Sequence, residues 1–315
     1  MRRQVRSNLG WGNGVAVLVA CGLLLGLVLV GPASAANIAF VSASPTDGSA
    51  PPDAASQGYT SAVDQGYVDL LTNAGHTVTR YLTQSPDQAF IDTLATNDLV
   101  VVSRQVGSGD FQDAPEVALW SSLPKPTIYM SGYIVRANRL QLMSGNTIPD
   151  TGAGDPPVAG PVTLTAQVPG HPIFDGITLD GSNNMDFADY PVTTPMGVTM
   201  RGISAVTEPP AGGGTTLATV GNAGELASGA SLIAYWPAGD TLGANVLAAP
   251  RMTFLSGTRE PTSPNPLVLA GEFDLTAAGS DLFLNAVGFM AIPEPSSALL
   301  VLISGLVLGM VRTKR

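Results

Sequence analysis

Cysteine is all but missing from this sequence: Cys21 is the only one in 315 residues. It stands inside an N-terminal apolar run, so a chain that loses that run has no disulfide, no thiolate nucleophile and no cysteine-based metal site. Histidine is nearly as scarce. His76 and His171 are the only two, which limits serine-based catalysis to two candidate bases. Positive charge is also thin. Of 14 Lys and Arg, Arg2, Arg3 and Arg6 open the chain and Arg312, Lys314 and Arg315 close it, leaving 14 − 6 = 8 between them against 24 acids, a net of 8 − 24 = −16. A stretch that acidic repels nucleic acid and anionic lipid. No internal repeat is evident, which argues against a solenoid or propeller.

What is present at the two ends is distinctive. Three arginines without an acid precede an unbroken apolar run from Val15 to Val30, Gly31-Pro32 breaks it, and Ala33-Ser34-Ala35 follows with small residues at the two positions a signal peptidase reads. Residues 1–35 therefore read as a signal peptide cleaved before Ala36. An uncleaved anchor is the alternative, since the run lies just below the ~17–25 residues that span a bilayer. Leu18-Val19-Ala20-Cys21 has the form of a lipoprotein box, but apolar sequence continues past Cys21, and Arg2-Arg3 lacks the rest of a twin-arginine motif.

Residues 292–315 have three parts: Pro293-Glu294-Pro295, an apolar run over about 298–311, and the basic cluster of Arg312, Lys314 and Arg315. The run suits a short transmembrane helix with the cluster held on the cytoplasmic side. The two prolines keep the segment before it extended and open to an enzyme. The order and spacing closely resemble the PEP-CTERM sorting tail. That resemblance implies a Gram-negative bacterium, export across its inner membrane, transient anchoring, processing by an exosortase, and release or re-anchoring at the cell surface or in the extracellular matrix. Signal peptidase and exosortase are then the processing partners, and exopolysaccharide or other envelope components are candidate partners of the body.

Residues 36–291 remain as the body. Its first half alternates strands and helices: strands at 37–43, 76–82, 98–103 and 126–130, with helices between them. The first helix places Tyr59, Val63, Tyr67, Leu70, Leu71 and Ala74 on one face and ends at Gly75; the second opens with a capping box at Ser85-Pro86-Asp87-Gln88. A third helix is expected at 113–123. Such alternation implies right-handed βαβ units and a mainly parallel sheet covered on both faces, an α/β three-layer domain. With 36 Gly and 25 Pro in the chain, the second half reads as loop-rich insertions between strands at 162–166, 215–220, 231–236 and 251–256, followed by a helix from about Thr276 to Met290.

The strand segments, with Gly170-His171-Pro172-Ile173-Phe174, Asp186 to Tyr190 and the final helix, resemble the class I glutamine-amidotransferase-like superfamily, its ThuA-like branch in particular. The resemblance implies a flavodoxin-like fold. It sets Ser131 where those enzymes carry a nucleophilic cysteine, so cysteine-dependent amidotransferase chemistry is excluded. A triad of Ser131, His171 and Asp186 or Asp189 can be drawn, although the GxSxG elbow is absent. A histidine capping loop backbone is the plainer reading of His171. Asp180, Asn183, Asn184, Asp186 and Asp189 could offer oxygens to Ca²⁺, but without EF-hand order they read as a solvated acidic loop. Trp120, Tyr190, Tyr235 and Trp236 could stack on sugar rings or fill a sheet edge. No cofactor or metal is called for.

Two functional classes follow: a non-catalytic binding module for a glycan or envelope component, and an extracellular hydrolase of carbohydrate or ester substrates using Ser131 and His171. In open α/β sheets ligands sit beyond the carboxyl ends of the strands. That places any site around Ser131, His171, Asp186 and Asp189, where the loops after strands ending near Ser44, near Ser103 and Arg104, and at Ser131 would converge over one crevice, with the insertion carrying His171 and the two aspartates as its cover. Mass spectrometry of protein recovered from the cell surface is expected to find Ala36 at the N-terminus and nothing beyond the Pro293–Pro295 region; an intact Arg315 would overturn the processing.

Overall fold

The computed structural model describes residues 35–149, 160–221 and 228–291. The signal segment with Ala33, the tail motif from Pro293 to Arg315 and its expected membrane helix lie outside them. Among the described residues no helix is long and apolar enough to cross a membrane.

The chain is mixed α/β. The elements are β1 (Asn37–Ser42), α1 (Pro52–Ala55), α2 (Gln65–Asn73), β2 (Thr77–Leu82), α3 (Gln88–Leu94), β3 (Leu99–Val102), α4 (Ala114–Ser122), β4 (Thr127–Tyr129), α5 (Gly132–Val135), β5 (Val162–Ala166), β6 (Asn184–Ala188), β7 (Thr215–Val220), β8 (Ser231–Trp236), β9 (Thr241–Leu242), β10 (Asn245–Val246), β11 (Arg251–Phe254) and α6 (Ala277–Ala291). Nine strands form one sheet in the order β2-β1-β3-β4-β11-β8-β7-β5-β6. From β2 to β11 every pairing is parallel. The four pairings beyond β11 are antiparallel.

The change of direction has a physical cause. Parallel neighbours need a crossover, usually a helix, whereas antiparallel ones do not. Between β4 and β11 the only described α-helix is the single turn α5, so among the described residues that half has no crossover helix, and its strands fold back on one another. β6 also corrects the reading of residues 180–189 as a loop throughout: Asn184–Ala188 is an edge strand on β5. β9 and β10 form a small hairpin that periodicity did not reveal.

Central strands are buried end to end, as continuous apolar runs such as Leu99–Val102 require. Aromatic side chains fill the helix layers. Tyr67 of α2 meets Phe283 of α6 at 5.7 Å between ring centroids, and Phe283 meets Phe254 of β11 at 5.0 Å. In a second group, Phe90 of α3 and Tyr129 of β4 pack edge-on against Trp120 of α4.

Helix ends follow their capping chemistry, with two corrections. α2 ends in a Schellman motif: Gly75, at φ +93°, donates to the Thr72 carbonyl and His76 donates to that of Leu71. α2 begins only at Gln65, however. Tyr59 and Val63 lie ahead of it and pack instead with Ala54 and Leu269 in a satellite cluster. The N-cap of α3 is Asp87, whose carboxylate accepts the Phe90 N–H at 2.8 Å. Ser85 does not cap it, and Pro86 lies outside the helix, because a carboxylate three residues before Phe90 competes better for the orphan amide.

One buried cation closes α4. Arg251 is 1% exposed and donates from Nη2 to the carbonyls of Trp120, Ser121 and Leu123, and from Nη1 to those of Lys125, Ala249 and Pro250. A guanidinium at a helix C-terminus satisfies the carbonyls that have no partner within the helix. Arg251→Met keeps the apolar bulk and strips those carbonyls of their donor. It is expected to lower stability by about 3 kcal/mol or more, read as a drop in the urea midpoint with unchanged slope.

Candidate functional site

The carboxyl edge of the parallel strands has two parts, one filled and one open. Over β1, β2 and β3 it is filled. Asp64, at the N-cap of α2 and fully buried, accepts from the Ser42 hydroxyl at 2.7 Å, the Ser103 hydroxyl at 2.6 Å and Arg80 Nη1 at 2.8 Å. The Ser44 hydroxyl donates to Gln105 Oε1 at 2.6 Å, and Gln105 Nε2 donates to the Val268 carbonyl at 2.6 Å. The protein's own side chains thus occupy the space above the first three strands.

Above β3, β4 and β11 the edge is open. A cavity of about 150 Å³ is lined by Arg104, Val106, Ser108, Tyr133, Arg259, Glu260 and Leu267. Each wall follows from the local chain. Arg104 comes two residues after β3. Tyr133 stands in α5 directly behind β4, held close because Gly132 lies against the Ser204 carbonyl, where a Cβ would collide. Arg259 and Glu260 follow β11. The Tyr133 ring has Arg104, Arg259 and Arg136 around it, their guanidinium carbons 5.0, 5.2 and 5.3 Å from its centroid. Glu260 accepts from Arg201 Nη2 at 2.6 Å, Arg104 Nη2 at 3.3 Å and Arg259 Nε at 3.3 Å. Burial and the neighbouring Arg139 charge push the Arg136 pKa below its ordinary value.

Ser131 and its drawn partners are not brought together. Ser131 follows β4 at the carboxyl edge, fully buried, in ordinary extended backbone at φ −109°, and its Oγ has no hydrogen-bond partner. Both histidines sit at the other end of the sheet. His76 Nδ1 accepts the Ala36 N–H at 3.2 Å, just before β1. His171 Nδ1 accepts the Ile173 N–H at 3.4 Å, capping the short 3₁₀ turn Pro172–Phe174. Its ring lies 4.8 Å from that of Phe289 in the last turn of α6. The first turn of α6 is the one near the carboxyl edge, since the preceding Asp274 accepts from the Gly257 amide beyond β11. From Ala277 to Phe289 the helix spans roughly 18 Å at ~1.5 Å per residue. Burial lowers the pKa of both imidazoles, which favours their neutral, accepting forms.

Asp186 and Asp189 are exposed, on and just after β6. Asp180 is committed locally, its Oδ1 accepting from the Ser182 and Asn184 amides at 2.8 Å each. Among the described residues no three His, Cys, Asp or Glu side chains converge as a metal site. Trp120, Tyr190 and Trp236 are buried, and the half-buried Tyr235 packs on Phe289 at 5.4 Å, so none of the four offers a free face to a sugar. No family model matches this chain, and no curated protein matches it either.

One buried acid beside the filled region titrates anomalously. Asp274 accepts from the Tyr67 hydroxyl at 2.7 Å and the Gly257 amide at 2.9 Å, yet complete burial raises its pKa from 3.8 to about 6. A carboxyl group that holds its proton more tightly when folded contributes its full stability below pH 4 and loses it as pH rises through about 6. Relative to Asp274→Asn, the wild-type chain is expected to lose roughly 2 kcal/mol between pH 4 and pH 7, measured as the difference in urea midpoints. Parallel curves for the two proteins would refute this.

Proposed function

We propose that this chain is an exported surface protein, sorted and processed through its C-terminal tail, whose body is a non-catalytic binding module for a glycan or other envelope component. The sorting reading rests on the residues at the two ends, with Pro293-Glu294-Pro295 before an apolar run and a terminal basic cluster. The body is read as a flavodoxin-like domain of the glutamine-amidotransferase-like superfamily. What supports this is the order β2-β1-β3-β4-β11, all parallel, which is the 2-1-3-4-5 order of flavodoxin-like sheets. The antiparallel strands β8, β7, β5 and β6 would then be an extension on the far edge.

The observation that carries binding over hydrolysis is the composition of the carboxyl edge. The open crevice there is walled by Arg104, Tyr133 and Arg259, and Ser131, the one nucleophile the resemblance nominates, is sealed with no hydrogen bond to its Oγ. A serine acts as nucleophile only with a base in hydrogen-bond reach, and His76 and His171 both belong to the opposite edge.

Ser131→Ala separates the two classes. Removing a buried hydroxyl that has no partner is expected to leave stability unchanged or raise it by up to about 1 kcal/mol. In a screen of ester, glycoside and amide substrates, wild type and Ser131→Ala are expected to be equally inactive. Turnover by the wild type that the alanine variant lacks would establish the hydrolase instead.

A further inference from the structure

Two donors buried at the end of α4 are left over after the bonds described above. Arg251 gives the N–H groups of Nη1 and Nη2 to six backbone carbonyls, but a guanidinium donates from Nε as well. Nε of Arg251 has no hydrogen-bond partner among the described residues. The same holds for the indole Nε1 of Trp120, a residue only 1% exposed. A donor buried without an acceptor carries its full desolvation cost, and that cost is higher when the donor is charged.

Both residues stand on the wall of one small cavity, where α4, β4 and β11 meet. Ser121 and Tyr129 add the other polar side chains of that wall. Leu140, Leu142, Leu242 and Leu247 make up the rest, the last two belonging to β9 and to the residue after β10, so that the small hairpin supplies one side. None of these residues is more than 5% exposed. The cavity has about 10 Å³ of room for the centre of a water-sized sphere. One water molecule needs roughly 10–15 Å³ by that measure, and no organic group fits in so little.

The polar part of the wall also suits water in its chemistry, because a water molecule both accepts and donates. Trp120 Nε1 and Arg251 Nε can only donate, whereas the hydroxyls of Ser121 and Tyr129 can accept. Ser121 gives its own proton to the Val117 carbonyl at 2.8 Å, which leaves its lone pairs for another donor. Burial, opposed by the nearby Arg251 charge, raises the Tyr129 pKa above its ordinary value, so Tyr129 is a neutral phenol and no counter-ion to the guanidinium. Other occupants match less of this. A cation is repelled by Arg251, and a halide is larger than water and can do nothing with the two hydroxyls but take their protons. We propose that the cavity is the site of one ordered water molecule that accepts from Trp120 Nε1 and Arg251 Nε, donates to the Tyr129 and Ser121 hydroxyls, and so ties α4 to β4 and β11.

The test uses the full chain, in a crystal and in solution. Crystals grown in chloride and in bromide are both expected to show one density peak of water, about 2.7–3.2 Å from Trp120 Nε1 and from Arg251 Nε, without anomalous scattering at the bromine edge. In solution, magnetisation transfer from water to nitrogen-bound protons is expected to give the sign of a long-lived bound water at the Trp120 indole and at Arg251 Nε. Trp236 is the internal control, because its indole Nε1 donates to the Ala211 carbonyl at 2.9 Å and should show no such transfer. Trp120→Phe identifies the Trp120 signal by its loss, and Trp236→Phe does so by elimination if the first variant does not fold. No density between the two nitrogens would make the cavity dry and overturn the proposal. An anomalous bromide peak there would overturn it in favour of an anion site. Transfer to Trp120 no stronger than to Trp236 would refute it in solution.

Discussion

The buried carboxylate of Asp64 is the contact on which the carboxyl edge depends. It lies at the N-cap of α2 and receives Ser42 from β1, Ser103 from the end of β3 and Arg80 from β2. An ion pair withdrawn from water is tolerated only when further hydrogen bonds satisfy its remaining lone pairs, and the two serine hydroxyls do this. Four elements are thereby fixed at one point. The consequence reaches beyond stability. The gap between β1 and β3, where the strand order reverses, is the place such sheets ordinarily leave for a ligand. Here it is filled by Asp64, Ser42, Ser103 and Gln105, and the open space lies further along the edge, above β3, β4 and β11.

Arginine serves two opposite purposes in this body. Arg251 is surrounded by six backbone carbonyls, bears on the end of α4 and the loops beside it, and is shut away from solvent. Its charge is consumed by structure. The arginines around Tyr133 crowd one another and share Glu260, at the wall of a cavity open to solvent.

Legibility in the sequence varied with the range of the interaction involved. The strand at 98–103 and the final helix could be read because each is a local pattern: an unbroken run of valines and leucine, and a recurrence of Leu282, Phe283, Ala286, Val287 and Met290 on one helical face. β6 was hidden because Asn184, Asp186 and their neighbours look like a loop, and only its pairing with β5 makes it a strand. The position of the crevice was half legible, since Arg104 and Ser131 end consecutive strands. Its chemistry was not, because Arg104, Tyr133, Arg201 and Arg259 are far apart in the chain. The scarcity of basic residues was the signal that could have found them: with eight to place, the ones that follow strands stand out.

By itself the sequence determined the parallel half of the fold, because hydrophobic period and capping residues act over a few residues and do not wait for the whole chain to come together. Tertiary structure decided which side chains meet. It set His76 and His171 at the amino edge and Ser131 at the carboxyl edge, since the direction of each strand and of α6 dictates which end of the sheet a flanking residue occupies. The same geometry brought together arginines from behind three strands, a convergence that arises only once β3, β4 and β11 lie side by side.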